Sequence, residues 1–315
     1  MDIFTHFIIG ILASVYGLKS LPFSLVIYAA IMSVIADFDI FLEPLRLIKK
    51  SNLLSHKGLS HSYFTALSFS FFTAILFTFI TNENFLIAWI IGFLFYSLHV
   101  TLDLITASKI PIFYPFSKKR YRFFIDRAIN LFLALISGLI VLSYFIMFFY
   151  LPELFFSSLY HYIFGFYLVY FSYRFISKIW IQFKLPKNSL YIPGILPFVY
   201  FIYENSSLGN SNLFKFTKKI QFSNKNSLLL QSELSKSSND IKFYEKAIKI
   251  SKDYVFFTKW EAVIPIVEKD DEYYTILLVL TESYFSGSAY ALKMVFNRKS
   301  DTIENISGGF KLFKL

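Results

Sequence analysis

Four of the five histidines of this chain fall within its first 103 residues, in a segment that is otherwise strongly apolar. Aspartates accompany them, and the set consists of His6, Asp37, Asp39, His56, His61, His99, Asp103 and, further along, Asp126. Ionisable side chains in or beside apolar segments are costly to bury and usually serve a function. Imidazole nitrogens and carboxylate oxygens bind divalent metal ions, so these residue types predict a metal site.

The spacing of these histidines and aspartates also indicates a metal site, but each pair has a simpler interpretation as well. His99 and Asp103 are four residues apart, so on a helix they project from one face and can bind one metal ion or form a plain hydrogen-bonded pair. His56 and His61 flank a loop–helix junction where Ser60 is the predicted N-cap. Their alternative is two solvated loop histidines, and Lys57 between them is either a contact for an anionic substrate or a basic membrane anchor.

The aspartates also allow two interpretations. Asp37 and Asp39 follow an apolar segment and supply carboxylate oxygens to a divalent ion, or else are ordinary helix-end residues. Asp126 lies beside Arg127, so it is a metal ligand or one partner of an ion pair. His161 has no acidic neighbour in the sequence and is interpreted as a packing or interfacial residue.

The composition is typical of a membrane protein. Hydrophobic residues make up 56% of the chain and the mean hydropathy is +0.53. With no cysteine, the chain has neither disulfides nor a thiolate metal site. Apolar runs predict a mainly α fold with about six membrane-spanning helices, at 4–18, 21–36, 62–81, 85–107, 128–150 and 155–181.

The basic residues predict an orientation for these spans. One basic residue, Lys19, lies in the connections on one side, and fourteen lie on the other side. The positive-inside rule then predicts a multi-pass protein of the cell membrane with both termini in the cytoplasm. The net charge of +10 follows this topology, so we expect no nucleic-acid partner. All the candidate site residues fall at the same predicted membrane face.

The pattern changes in the last third of the chain. Alternating residues predict strands at 214–217, 273–280, 289–296 and 310–313, with a helix capped by Ser238. The aromatic, proline-punctuated stretch 191–200 is predicted at the membrane interface, and 204–212 is predicted to be a linker. We therefore expect a helical membrane domain over 1–204 and a small cytoplasmic α+β domain over 205–315, whose protein partner is unknown.

Four segments resemble the YdjM-type family, whose members are described as inner-membrane-associated, metal-dependent hydrolases. The segments are Thr5-His6, Ala36-Asp37-Phe38-Asp39, His56-Lys57-Gly58-Leu59-Ser60-His61-Ser62 and Ser97-Leu98-His99-Val100-Thr101-Leu102-Asp103-Leu104-Ile105-Thr106. The family pattern is PDxDH, HRGxTHS and HxxxDxxT with a later Asp, and this chain departs from it at Ala36, Ile40, Lys57 and Ser60. The family is similar in its motifs to zinc-dependent phospholipases C and nucleases, which implies phosphoester hydrolysis.

From the residues and this resemblance we expect a zinc-type metal-dependent hydrolase acting on a lipid or polyprenyl phosphoester at the cytoplasmic membrane surface. The candidate ligands are His6, Asp37, Asp39, His56, His61, His99, Asp103 and Asp126. Asp37 or Asp39 would serve as ligand or general base, and Lys57 would offset phosphate charge. The alternative is a metal-binding transporter, sensor or anchor without catalysis, although a transport pathway should carry polar residues near the membrane midplane.

Overall fold

The computed structural model describes residues 1–47, 56–150, 159–236 and 239–313. Outside these ranges lie Ser238, two of the fourteen basic residues (Lys49 and Lys50) and the first four residues of the predicted span 155–181. The chain forms two compact units, Met1–Phe175 and Ile176–Leu315. The predicted domain limits, 1–204 and 205–315, stay a prediction, because compact units in space need not be independently folding domains.

The first unit is helical. Its helices are α1 (Ile3–Gly17), α2 (Phe23–Met32), α3 (Tyr63–Thr81), α4 (Phe85–Leu104), α5 (Leu131–Tyr150) and most of α6 (Leu159–Lys184). Two 3-10 segments, Ile35–Leu47 and Leu59–His61, lie between α2 and α3. The Ser62 side chain caps α3 by accepting a hydrogen bond from Thr65 N at 3.1 Å. The prediction of Ser60 as the cap is therefore wrong.

Among the described helices, α3 and α4 are long and apolar enough to span a membrane. A third span results if α2 and Ile35–Phe41, which are bent by 45°, cross together. The predicted count of about six spans is therefore wrong. The apolar runs in the sequence indicated composition but did not indicate helix length. Helix α1 has 15 residues and is about 22 Å long, which is shorter than the roughly 30 Å hydrocarbon core of a membrane.

The other two predicted spans fail for related reasons. In α5 the stretch Leu131–Met147 counts among the shorter apolar helices and not among the candidate spans. Helix α6 has 26 residues, but tyrosines, His161 and Arg174 interrupt its apolar sequence. Both helices are rich in apolar side chains, and the sequence analysis predicted spans there from that composition alone.

Small residues let the helices around α4 approach closely. A Cβ added to Gly92 of α4 would lie 2.6 Å from the Tyr28 hydroxyl of α2 and 3.2 Å from the Ser70 Cβ of α3. A Cβ added to Gly10 of α1 would lie 2.5 Å from the Ser33 Cβ, just after α2. Close approach of this kind is common between membrane helices. It brings the site-bearing parts of α1, α2 and α4 together.

The second unit consists mainly of two four-stranded antiparallel sheets in which strands pair in chain order. The first sheet contains β1 (Ser189–Pro193), β2 (Val199–Leu208), β3 (Ser211–Ile220) and β4 (Asn226–Ser235). The second contains β5 (Val263–Lys269), β6 (Tyr273–Leu280), β7 (Ser288–Asn297) and β8 (Ile303–Leu312). Helices α7 (Asn239–Ser251) and α8 (Val255–Lys259) connect them.

The prediction of a small α+β domain is therefore wrong. Several strands escaped sequence analysis because they are polar or carry proline, as in β1, which ends at Pro193. The predicted linker 204–212 is instead a hairpin, in which β2 and β3 pair from Leu208–Ser211 onward. Gly209 supplies the positive φ of 53° that the turn requires.

The close contact at Gly10 gives a stability prediction. Gly10→Ala should destabilise the protein by about 1–3 kcal/mol, because the added Cβ forces α1 away from Ser33. Thermal unfolding of the purified protein in detergent measures this change. Gly17→Ala is the matched control, since nothing lies within 4 Å of a Cβ there. Equal melting temperatures for the two variants would contradict the packing described.

Candidate metal centre

Helix α4 contributes His99 and Asp103, and both side chains are completely buried. Because they are four residues apart, they project from one face of the helix, one turn from each other. His99 Nε2 lies 3.9 Å from Asp103 Oδ2. The pair that the sequence predicted therefore faces the interior of the first unit.

The chain between α2 and α3 contributes Asp37 and His61. Asp37 lies in the first turn of the 3-10 segment that follows α2, and His61 ends the segment before α3. Between them Lys57 has a φ of 61°, a left-handed conformation that is uncommon for a residue other than glycine. Its backbone N–H donates to Asp39 Oδ2 at 3.0 Å, and this bond holds the turn that brings His61 into the site.

Asp37, His61, His99 and Asp103 each offer one ligand atom, and these four atoms all lie within 4.8 Å of one another. His61 Nε2 lies 3.2 Å from His99 Nε2 and 3.0 Å from Asp103 Oδ2. Asp37 Oδ1 lies 3.6 Å from the first nitrogen and 3.5 Å from the second. Tetrahedral zinc with bonds of about 2.0–2.1 Å has ligand atoms about 3.3 Å apart. The measured separations lie on both sides of that value.

Both imidazole rings are held from their outer nitrogens. His99 Nδ1 donates to the Ser33 carbonyl oxygen at 2.9 Å, since that oxygen can only accept. His61 Nδ1 lies 2.9 Å from Ser60 Oγ and 3.3 Å from Asp39 Oδ2. Such partners fix the ring orientation and leave Nε2 for a metal ion.

The carboxylates supply a second indication that the residues fit a metal ion. Asp37 Oδ1 and Asp103 Oδ2 are buried and accept no well-directed hydrogen bond from the described residues, although His61 Nε2 lies 3.6 Å from the first and 3.0 Å from the second. A buried carboxylate oxygen that lacks a well-directed hydrogen bond is costly, and buried charges are normally paired or bound to metal. Both oxygens belong to the group of four ligand atoms. The cluster can therefore hold a divalent metal ion.

Two amino groups contact the other oxygen of Asp103. Lys57 Nζ donates to Asp103 Oδ1 at 2.8 Å, and the Met1 amino group contacts the same oxygen. Burial alone would lower the pKa of Lys57, but the charge of Asp103 outweighs it and raises the pKa. Lys57 is therefore a buried ammonium group beside the cluster.

Three further predicted residues lie around the cluster. The His6 ring stacks on His99 with centroids 3.8 Å apart, and His6 Nε2 lies 3.3 Å from Asp103 Oδ1. His56 Nδ1 lies 2.5 Å from Asp39 Oδ1. Asp39 also accepts a hydrogen bond from Ser60 Oγ. In this arrangement Asp39 supports His61 from outside the group of four atoms.

Asp126 lies in a different polar network. Its Oδ2 accepts a hydrogen bond from the Tyr170 hydroxyl at 2.8 Å, and its Oδ1 accepts one from Asn130 Nδ2 at 2.9 Å. The guanidinium of Arg174 lies 3.3 Å from Oδ1. All four side chains are buried. The described group of four ligand atoms does not include Asp126.

Sequence analysis missed several residues of these networks. Ser33 acts through its backbone oxygen, which no side-chain pattern can reveal. Ser60 was interpreted as a helix cap and instead hydrogen-bonds Asp39. Arg174 in the apolar sequence of α6 was the one available signal, because a buried guanidinium needs a carboxylate partner.

A family model described as YdjM inner membrane protein matches residues 1–179, more than half of the 315-residue chain. No curated protein and no solved structure matches the chain. The matched region contains every candidate site residue and ends within α6. The resemblance inferred from the motifs is thereby confirmed. The two sheets lie outside the match.

The geometry predicts metal binding that depends on the two central histidines. His61→Ala and His99→Ala should each lower metal affinity by at least about 100-fold, since losing even a partner of a ligand costs 10–100-fold. Metal content per chain after loading with zinc or manganese and dialysis measures the loss.

His161→Ala is the matched control, because His161 contacts Tyr16 and lies outside the group of four ligand residues. Its metal content should equal that of the wild type. If the His61 and His99 variants keep full metal content, the assignment of the site is wrong.

The protonation of His61 predicts a pH dependence. Burial lowers its pKa, but interactions with Asp103 and two further carboxylates outweigh burial and raise the pKa of His61 to about 10. A ligand nitrogen must lose its proton to bind metal, so apparent affinity should rise about tenfold per pH unit near neutrality. Calorimetry in buffers of different ionisation enthalpy counts the protons released. Affinity that stays constant between about pH 6 and pH 8 would contradict this protonation state.

Proposed function

The chain belongs to the YdjM inner membrane protein family, and we propose that it is a membrane-bound, zinc-dependent hydrolase. The observation that carries the proposal is the close grouping of four ligand atoms, all within 4.8 Å of one another, whose two imidazoles are each held through Nδ1. Two nitrogens and two oxygens, with no thiolate, suit zinc among the common divalent ions. Asp37, His61, His99 and Asp103 would hold the ion.

A bound zinc ion would lower the pKa of a coordinated water to about 7 and polarise a substrate oxygen. The chain's own residues determine how substrate reaches it. The Asp37 side chain is 10% exposed, whereas the other three donor side chains are 0% exposed. Substrate would therefore approach from the Asp37 side. Asp39 would orient His61 through Ser60, so we assign it a positioning role.

Lys57 supports an anionic substrate. Its ammonium group lies next to the cluster and is bound to Asp103. A phosphoester would bring negative charge to this position, and Lys57 would offset it. Helices α3 and α4 support membrane association, as does the family. A lipid or polyprenyl phosphoester therefore fits better than a soluble metabolite.

The orientation in the membrane is part of the proposal. The excess of basic residues on one side of the predicted connections favours a cytoplasmic location for the site and both termini. Two spans, α3 and α4, leave both termini on one side of the membrane, and the argument for that side now depends mainly on the basic residues in 107–127, which follow α4. A substrate in the cytoplasmic leaflet would suit this arrangement.

One observation favours a second candidate function, a metal-stabilised membrane protein without catalysis. Structural zinc sites have four protein ligands, whereas catalytic sites keep one position for water or substrate. The cluster offers four protein ligand atoms. Catalysis would require Asp37 to yield its position or the zinc ion to accept a fifth ligand.

Activity measurements separate the two candidates. We expect the zinc-loaded full chain in lipid bilayers to hydrolyse a chromogenic phosphodiester lipid. Lys57→Met should lower kcat/KM for this substrate by about tenfold or more, since an ion-paired group contributes about 1.4 kcal/mol or more. The rate with a neutral carboxylic ester should change little.

Lys19→Met is the control for the loss of a positive charge, because Lys19 is exposed in the turn after α1. Its rates should equal those of the wild type. Phosphodiester hydrolysis that persists in the metal-depleted His99→Ala protein would refute the zinc mechanism. Full metal content without hydrolysis of any phosphoester lipid tested would favour the second candidate.

A further inference from the structure

One end of the first sheet carries exposed apolar side chains. The turn between β1 and β2 lies beside the turn between β3 and β4, since Gln221 N donates to the Phe198 carbonyl at 2.9 Å. Three large apolar side chains are exposed there: Leu196 at 39%, Phe198 at 38% and Phe222 at 79%. We call these residues, with Lys218, Lys219 and Lys225, the sheet tip. Exposed apolar groups of this kind mark an interaction surface.

The sheet tip is basic as well as apolar. Residues 176–203 contain three lysines, and 211–232 contain four, with no aspartate or glutamate in either range. Lys218 and Lys225 are exposed and lie within four residues of the exposed Phe222 in the sequence. Exposed phenylalanine next to lysine is typical of surfaces that bind anionic membranes.

The C-terminal part of helix α6 lies against the first sheet. Tyr191 N donates to the Gln182 side chain at 3.2 Å, and Ser177 Oγ donates to the Gln221 side chain at 3.1 Å. The sheet tip therefore lies level with Ser177. Helix α6 ends at Lys184. At 1.5 Å per residue, the sheet tip therefore lies about 10 Å before the C-terminal end of α6, measured along the helix axis.

The same part of α6 carries residues that anchor helices at membrane surfaces. Trp180 is 61% exposed and Phe183 is 86% exposed. The Lys184 ammonium lies 4.1 Å from the centre of the Trp180 ring. Tryptophan and lysine concentrate at the membrane–water boundary. The sheet tip and this part of α6 thus present the same chemistry at the same level.

We propose that the sheet tip is a membrane-binding surface that inserts Phe198 and Phe222 among lipid headgroups while its lysines bind anionic lipid. The family match ends at residue 179, so this surface lies outside the matched region. It is independent of the metal site and does not depend on the proposed hydrolase activity. Its effect is to hold the first sheet against the membrane surface.

The opposite end of the same sheet provides a matched comparison. Leu208 lies next to the turn at Gly209 and is 57% exposed. Glu204 and Glu233 lie toward this end, in β2 and β4, and Lys236 Nζ donates to the Gly209 carbonyl there at 3.1 Å, so this end carries both signs of charge. The two ends thus share exposed apolar side chains but differ in charge. Leu208 should remain in water.

A labelling experiment tests the proposal with the full chain. The chain has no cysteine, so Phe222→Cys, Phe198→Cys and Leu208→Cys each accept a single environment-sensitive fluorophore. Each labelled protein is reconstituted into bilayers that contain nitroxide-labelled lipid, with phosphatidylcholine alone or with added phosphatidylglycerol. We expect quenching at 222 and 198 to be roughly twofold or more stronger than at 208.

Charge reversal tests the role of the lysines. Lys218→Glu, Lys219→Glu and Lys225→Glu combined with Phe222→Cys should lower quenching to the level seen at 208. Equal quenching at 222, 198 and 208 would overturn the proposal. Quenching at 222 that changes neither on addition of phosphatidylglycerol nor on charge reversal would also overturn it. The metal content of each variant should equal that of the unsubstituted chain, which shows that the first unit is intact.

Discussion

The first unit depends on the burial of one carboxylate, that of Asp103 on α4. Removing an ionised group from water costs several kcal/mol unless partners compensate. Lys57 and His61 reach Asp103 from the chain between α2 and α3, and His6 reaches it from α1. Segments that are distant in sequence are therefore tied to one side chain. The contacts that compensate the buried charge of Asp103 therefore both form the site and hold these segments together.

Close helix packing makes these contacts geometrically available. Gly10 lets α1 approach Ser33, whose carbonyl holds the His99 ring. The same approach places the His6 ring on the face of His99. A larger residue at Gly10 would therefore disturb two histidines that it does not itself contact. Packing and metal geometry are coupled at this position because both use the same short distance between α1 and α2.

The sequence predicted local relationships better than distant ones. His99 and Asp103 were predictable because helical spacing alone puts them on one face. That His61 would join them followed from the grouping of the histidines, from the resemblance to the family pattern and from a topology argument whose span count was wrong. Asp126 illustrates the limit: its partners Tyr170 and Arg174 come from α6, more than forty residues away. The polar strands of the second unit were missed because their pairing, and not their composition, makes them strands.

The difference from the family pattern at position 40 bears on the number of metal ions. The resembling family has a histidine there, and this chain has Ile40, whose side chain is 51% exposed. The four ligand atoms come together without it. Asp39, one residue earlier, is already engaged by His56 and Ser60. Among the described residues, the donors that could hold a metal ion therefore form one group without a histidine at position 40.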